Sequence, residues 1–154
     1  MEQEIIIGIK RCSEKTGRGV TFPGYATEGS AGLDLPANLE KPLIIPPGAR
    51  VKIPTGIAVE LPHRYIAGLI FPRSGLATNH GIALANAVGL IDSDYKGEII
   101  VAVVNQSKQE YIIKPGERIA QLVFIPIHRV TFKEVAELDQ SSRGKGGFGS
   151  TGRF

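Results

Sequence analysis

Lys114-Pro115-Gly116-Glu117 closes a turn, and Ile119-Ala120-Gln121-Leu122-Val123-Phe124-Ile125 follows it as an apolar run broken by one polar side chain. Pro presets φ and Gly accepts positive φ, so the first four residues reverse the chain. The seven after them read as a strand buried on both faces. Gln121 is then polar in a buried setting and needs a partner. The same grammar recurs outward from this point. Short apolar runs at 5–9, 43–45, 51–53, 57–61, 65–71, 82–85, 88–91, 99–104, 111–113, 119–127 and 130–135 are each bounded by Gly, Pro, Asn or Asp. About eleven short strands at fairly even spacing predict an all-β sandwich, a distorted jelly roll. One short helix is expected after Pro72, with Ser74 near its start and Leu76-Ala77 on its apolar side.

Composition agrees. Ile and Val number 29 against 24 for Leu and Ala, and β-branched residues favour strands. Gly and Pro supply 29 of 154 residues, above the ordinary share of about 12% and below the low-complexity range. Turns must be frequent, and an all-helical fold is excluded. At this length a single domain is expected. The apolar runs are too short to span a membrane as helices. Met1-Glu2-Gln3-Glu4 is acidic where a signal or transit peptide is basic, so the mature chain is expected to be the whole chain. Cys12 is the one cysteine, expected to be buried or half-buried, and with three scattered histidines it offers no metal cage. A cytoplasmic location follows as the expectation.

The net charge of +3 is local. Arg143, Lys145 and Arg153 lie in residues 141–154, which hold no acid, so residues 1–140 are neutral. A stable nucleic-acid binder more often spreads a basic patch over a folded face. The stretch 141–154 is rich in Gly and Ser and has two readings: a disordered tail, or an arm that orders over a phosphate. Composition does not choose between them.

Four further segments carry chemistry. Ala31-Gly32-Leu33-Asp34-Leu35 sets one carboxylate between apolar neighbours as a strand begins, either a turn aspartate or an acid holding a hydrated metal. Pro72-Arg73-Ser74-Gly75-Leu76-Ala77 puts Arg and Ser where a helix starts, either a plain cap or an anion site. The segment from Gly89 to Ile99, GLIDSDYKGEI, reads as a hairpin with Asp92, Asp94 and Tyr95 at its tip, although hairpin tips favour Asp for turn reasons alone. Gly116-Glu117-Arg118-Ile119-Ala120-Gln121-Leu122 contributes the buried Gln.

Together and in this order, AGLDL, PRSGLA, GLIDSDYKGEI, GERIAQL and RGKGGFGSTG (143–152) make the chain resemble the trimeric dUTPase family over essentially its full length. Leu33 and Leu90 are apolar departures from the Tyr and Val that many members carry.

The resemblance implies hydrolysis of dUTP to dUMP and pyrophosphate by water attack on the α-phosphorus, with Mg²⁺ held mainly by the triphosphate. That activity limits uracil incorporation into DNA and supplies dUMP for dTMP synthesis. It implies Asp92 as the general base and Asp34 as the acid that holds the metal through water. It implies Arg73, Ser74, Gly75 and Gln121 as phosphate ligands, joined by Arg143, Gly149, Ser150 and Thr151 of the arm. Asn86 and the backbone at Leu90 are implied to read uracil, Tyr95 to pack under deoxyribose, and Phe148 to cover the base. The implied assembly is a homotrimer, each site closed by an arm from another subunit, with residues 1–140 as the body and 141–154 as the arm.

A dCTP deaminase, which shares the jelly roll, and a non-catalytic nucleotide sensor are the rival readings. The DSDYKGE segment and the intact acids favour the hydrolase. His63, His80 and His128 match no motif and are expected at the surface or in packing, and Lys10, Arg11, Arg50 and Lys52 are expected on solvated strand faces.

Overall fold

The run that decides the fold becomes the longest strand and the spine of the largest sheet. A computed structural model describes residues 4–14, 22–147 and 150. Through them the chain forms β1 (Gly8–Arg11), β2 (Leu33–Pro36), β3 (Leu43–Ile45), β4 (Arg50–Pro54), β5 (Ile57–Glu60) and β6 (Ile66–Pro72). A helix, α1 (Ser74–His80), comes next. Then follow β7 (Ile82–Leu84), β8 (Gly89–Ile91), β9 (Ile100–Asn105), β10 (Tyr111–Ile113) and β11 (Arg118–Pro126). All pairings are antiparallel. A four-stranded sheet has the order β2-β11-β6-β8, a three-stranded sheet the order β4-β9-β7, and β1-β5 and β10-β3 form two ribbons. This is the jelly-roll sandwich expected, with its one short helix.

Strand alternation explains the core. Ile119, Ala120 and Leu122 of β11, Leu35 of β2 and Ile70 of β6 face inward against Ile53, Val101 and Val103 of the opposing sheet. Each such side chain contributes about 1.5–3 kcal/mol by leaving water. Gln121 and Val123, on the other face of β11, are half-buried, so the run is not buried equally on both faces. Asn105 is a polar side chain within the core, fully buried, as Thr55 nearly is. Its Nδ2 donates to the carbonyls of Ile45 (2.8 Å) and Gln109 (2.7 Å), and its Oδ1 accepts the Ser107 N–H and hydroxyl. It knots the β3–β4 turn region to the β9–β10 loop.

Several expectations are corrected. Residues 130–135 form no strand: Val130 and Phe132 alternate correctly, but no sheet edge among the described residues receives them, and Phe132 is 93% exposed. The first strand starts later than residue 5, because its partner is Ile57–Glu60 and the register ends at Gly8. The segment 89–99 is not a hairpin. β8 pairs with β6 and β9 with β4 and β7, so the segment crosses between the two sheets. Cys12 is exposed rather than buried. His80 packs as expected, its ring 5.0 Å from that of Tyr111. No described helix is long and apolar enough to cross a membrane.

Candidate active site

Register places two motif residues and Phe71 in one row. Asp34 of β2 lies opposite Gln121 of β11, which lies opposite Phe71 of β6. All three project on the face away from the core, where a cleft of about 650 Å³ opens. Arg73, Ser74 and Gly75 line the same cleft, because β6 ends at Pro72 and α1 begins two residues on. The first-turn N–H groups of a helix lack intrahelical acceptors, and the first turn of α1 carries no acid to compete for them. Five of the expected phosphate and metal residues therefore share one wall.

Charge in the cleft is arranged around Asp34. Arg73 Nε lies 3.0 Å from Asp34 Oδ1, and Arg118 Nη1 lies 2.9 Å from Oδ2. Arg73 Nη1 also donates to the Arg118 carbonyl at 3.2 Å. Two guanidiniums against one carboxylate leave the cluster net positive, as an anion site requires. No role for Arg118 was expected from the sequence. The cause is a bulge: Arg118 pairs with Pro36 and Ala120 with Leu35, so Ile119 is the extra residue. Continued without the bulge, the Gln121–Asp34 register would turn Arg118 to the opposite face from Asp34; with it, the two share a face. Nothing in the residue pattern announces that shift.

Gln121 has the partner its burial demands. Its Nε2 donates to the Pro72 carbonyl at 3.0 Å, tying β11 to the residue before Arg73. A Cβ on Gly32 would stand 2.9 Å from Gln121 Oε1, so glycine there makes room for the amide.

The other expected residues lie elsewhere. Asp92 and Tyr95 are exposed on the crossing between β8 and β9, and Asn86 is exposed in the turn before β8. Leu90 is 61% exposed on β8, the edge of its sheet, which leaves one side of that backbone unpaired by the chain's own strands. Asp92 follows Ile91, which pairs with Gly68, so it stands four rows and three strands from Asp34. At ordinary strand dimensions that diagonal is about 20 Å. One chain does not bring Asp92 to the cleft.

Arg143 and Ser150 of the expected arm are exposed, and the cleft wall comes from residues 26–34, 71–80 and 121–123. Turns close on Ser141 and Arg143, whose carbonyls accept the Gly144 and Gly146 N–H groups at 3.0 Å. Phe148, Gly149 and Thr151 lie outside the described residues. Among the described residues no cluster of three or more His, Cys, Asp or Glu could cage a metal.

A family model described as dUTPase matches residues 18–152. The chain is 51% identical over 146 residues to the deoxyuridine 5'-triphosphate nucleotidohydrolase of Desulfitobacterium hafniense (strain DSM 10664 / DCB-2), covering 95% of this chain and 97% of that protein. It is 47% identical to the protein of the same name from Legionella pneumophila (strain Paris), covering 97% and 98%. Among solved structures, a mutant dUTPase of Staphylococcus bacteriophage 80alpha with dUpNHpp superposes with a TM-score of 0.80 at 26% identity, covering 96% of this chain and 99% of that one.

Proposed function

The chain belongs to the dUTPase family, and on that premise we propose that it hydrolyses dUTP to dUMP and pyrophosphate by attack of water on the α-phosphorus. The observation that carries this reading is the gathering of Asp34, Arg73, Ser74, Gly75 and Gln121 around one net-positive cleft. Arg73 supplies charge-assisted donors to the phosphates, with the Ser74 hydroxyl and first-turn N–H groups beside it. Gln121, braced on Pro72, offers an amide of fixed aim. Arg143 and Ser150, with Gly149 and Thr151, complete the phosphate contacts from the arm, and Phe148 covers the base. Asn86 and the exposed edge backbone at Leu90 read uracil, and Tyr95 stands against deoxyribose. Asp92 takes the proton of the attacking water. Residues 1–140 are the body and 141–154 the arm.

The donor set suits Mg²⁺ held by the substrate rather than by the protein. Each Asp34 oxygen accepts one guanidinium and keeps a lone pair for a water, so Asp34 would hold the ion through its hydration shell. When bound, the ion supplies a charge clamp across the phosphate oxygens.

A general base must lie within about 3 Å of the proton it removes. Asp92 lies far beyond that reach from its own cleft, which supports a site shared between copies. We assign a homotrimer, each cleft receiving the Asp92 segment and the arm from other subunits. Val130, Phe132, Val135 and Leu138, all exposed along residues 130–138, supply apolar surface for such an assembly. A nucleotide substrate of this kind places the enzyme in the cytoplasm on the same reading.

The test is turnover. Incubation with dUTP and Mg²⁺ should release dUMP and pyrophosphate in equal amounts. Ammonia release from dCTP in place of this activity would contradict the reading.

A further inference from the structure

Contacts at the base of the 92–99 segment converge on residues without a role in the chemistry above. The Tyr95 hydroxyl donates to the Glu98 carbonyl at 2.8 Å. The Glu98 carboxylate accepts the Gly56 N–H at 2.7 Å, across 42 residues of sequence. One residue on, the Ile99 carbonyl accepts both the Thr55 hydroxyl (2.7 Å) and the Thr55 N–H (3.2 Å). The Ile99 N–H donates to the Ile57 carbonyl at 2.8 Å. Thr55 and Ile99 are fully covered, so the β4–β5 turn is a fixed anchor.

Tyr95 itself is 43% exposed and gains little orientation from burial. Its seat is built from below. A Cβ on Gly97 would fall 2.6 Å from the Tyr95 hydroxyl and 2.7 Å from Cζ, so the phenol lies directly against Gly97. Its hydroxyl ends on the Glu98 carbonyl, and that residue is pinned through its own side chain to Gly56. A ring that excludes a hydroxyl by shape works only if it is held to a fraction of an ångström.

We propose that Glu98 is a specificity-determining positioning residue: by locking its carboxylate on the Gly56 amide, it fixes the carbonyl that receives the Tyr95 hydroxyl and so sets where the ring stands against the sugar. The inference rests on the reading of Tyr95 as the residue that excludes a 2′-hydroxyl. Glu98 touches no substrate atom in this account. Its influence runs through Tyr95 and is read in discrimination between dUTP and UTP.

The experiment compares kcat/KM for dUTP and UTP in Glu98→Ala, Glu98→Asp, Glu98→Gln and Tyr95→Ala, with hydrogen exchange at the Gly56 amide followed in the same proteins. Gln keeps an acceptor at the same reach, so Glu98→Gln should retain the dUTP:UTP ratio within about threefold. Ala has no acceptor and Asp falls one carbon short, so both should lower the ratio by about tenfold or more and speed Gly56 exchange. A merely structural contact would reduce the amount of active enzyme for both substrates alike and leave the ratio where it was. Glu98→Asp preserves charge and most of the volume, and decides the matter if Glu98→Ala does not fold. An unchanged ratio in a folded Ala or Asp variant overturns the proposal. If Tyr95→Ala lowers the ratio in that same assay, only the positioning role falls; if it too changes nothing, the assignment of Tyr95 falls with it.

Discussion

Asp34 and Arg118 lie 84 residues apart in the chain and meet at 2.9 Å in the cleft. Their contact makes Asp34 a carboxylate shared by two arginines, with Arg73 on its other oxygen at 3.0 Å. The Asp34 side chain is 17% exposed against 52% for Arg118, so removal of the acid should cost more than removal of Arg118. Asp34→Ala leaves two guanidiniums adjacent and unneutralised, and should lower stability by about 1–3 kcal/mol. Arg118→Ala, on the wetter side of the pair, should cost at most about 1 kcal/mol. Both should raise KM for dUTP by disturbing the aim of Arg73. Urea unfolding and steady-state kinetics on the two variants check the order.

Asp92→Asn should keep the fold and the affinity for dUTP while kcat falls by about 10²–10⁴-fold, the usual contribution of a general base. Asp92 is exposed and makes no ion pair among the described residues, so its loss should leave the thermal midpoint unchanged. Binding of a non-hydrolysable dUTP analogue separates affinity from turnover. Wild-type turnover at saturating dUTP would reduce Asp92 to a turn residue.

Tyr111 gives the fold a measurable alkaline limit. Burial raises its pKa from 10.0 to about 12, aided by its hydrogen bond to Glu117 and the charge of that carboxylate. The hydroxyl donates to Glu117 Oε1 at 2.6 Å. A raised folded pKa favours the protonated ring in the native state. Its contribution is therefore complete below the unfolded pKa near 10 and is lost as pH climbs towards about 12. Urea titrations across that window should show stability falling in the wild type. In Tyr111→Phe the slope should be shallower, from a lower starting value.

Asn105→Ala should be among the most destabilising single substitutions. It removes four hydrogen bonds from a fully buried side chain and takes one donor from each of the Ile45 and Gln109 carbonyls, the second of which keeps the Ser107 hydroxyl. A loss of about 2–4 kcal/mol is expected from urea unfolding, with kinetics unchanged in whatever fraction stays folded.

Local chemistry wrote much of this fold openly. The Pro-Gly turn and apolar run produced β11, and Pro72 followed by Arg-Ser produced α1 where expected. The cleft wall was legible because Arg73, Ser74, Gly75 and Gln121 fall in two compact motifs joined by a strand register. What escaped is long-range. Arg118 reaches Asp34 only because Ile119 bulges, and Glu98 meets Gly56 where the β4–β9 register runs on past Pro54 and Ile100, 42 residues apart in sequence. Neither event leaves a periodic trace. Two acids and a Tyr between apolar runs look like a hairpin tip, yet the flanking strands joined different sheets. Residues 130–135 carry strand alternation, but no sheet edge among the described residues receives it.

On the proposed assembly, the cleft of one copy works with the Asp92 of another. The direct measurement co-expresses two inactive chains, Asp92→Asn and Arg73→Ala, and assays dUTP turnover of the purified mixed oligomers. Each variant alone should be nearly inactive. At equal mixing, about a quarter of the sites should pair an intact cleft with an intact Asp92 and recover that share of wild-type activity. Mixed oligomers with no activity above either parent would contradict the claim, because they would place Asp92 and Arg73 in the same chain's site.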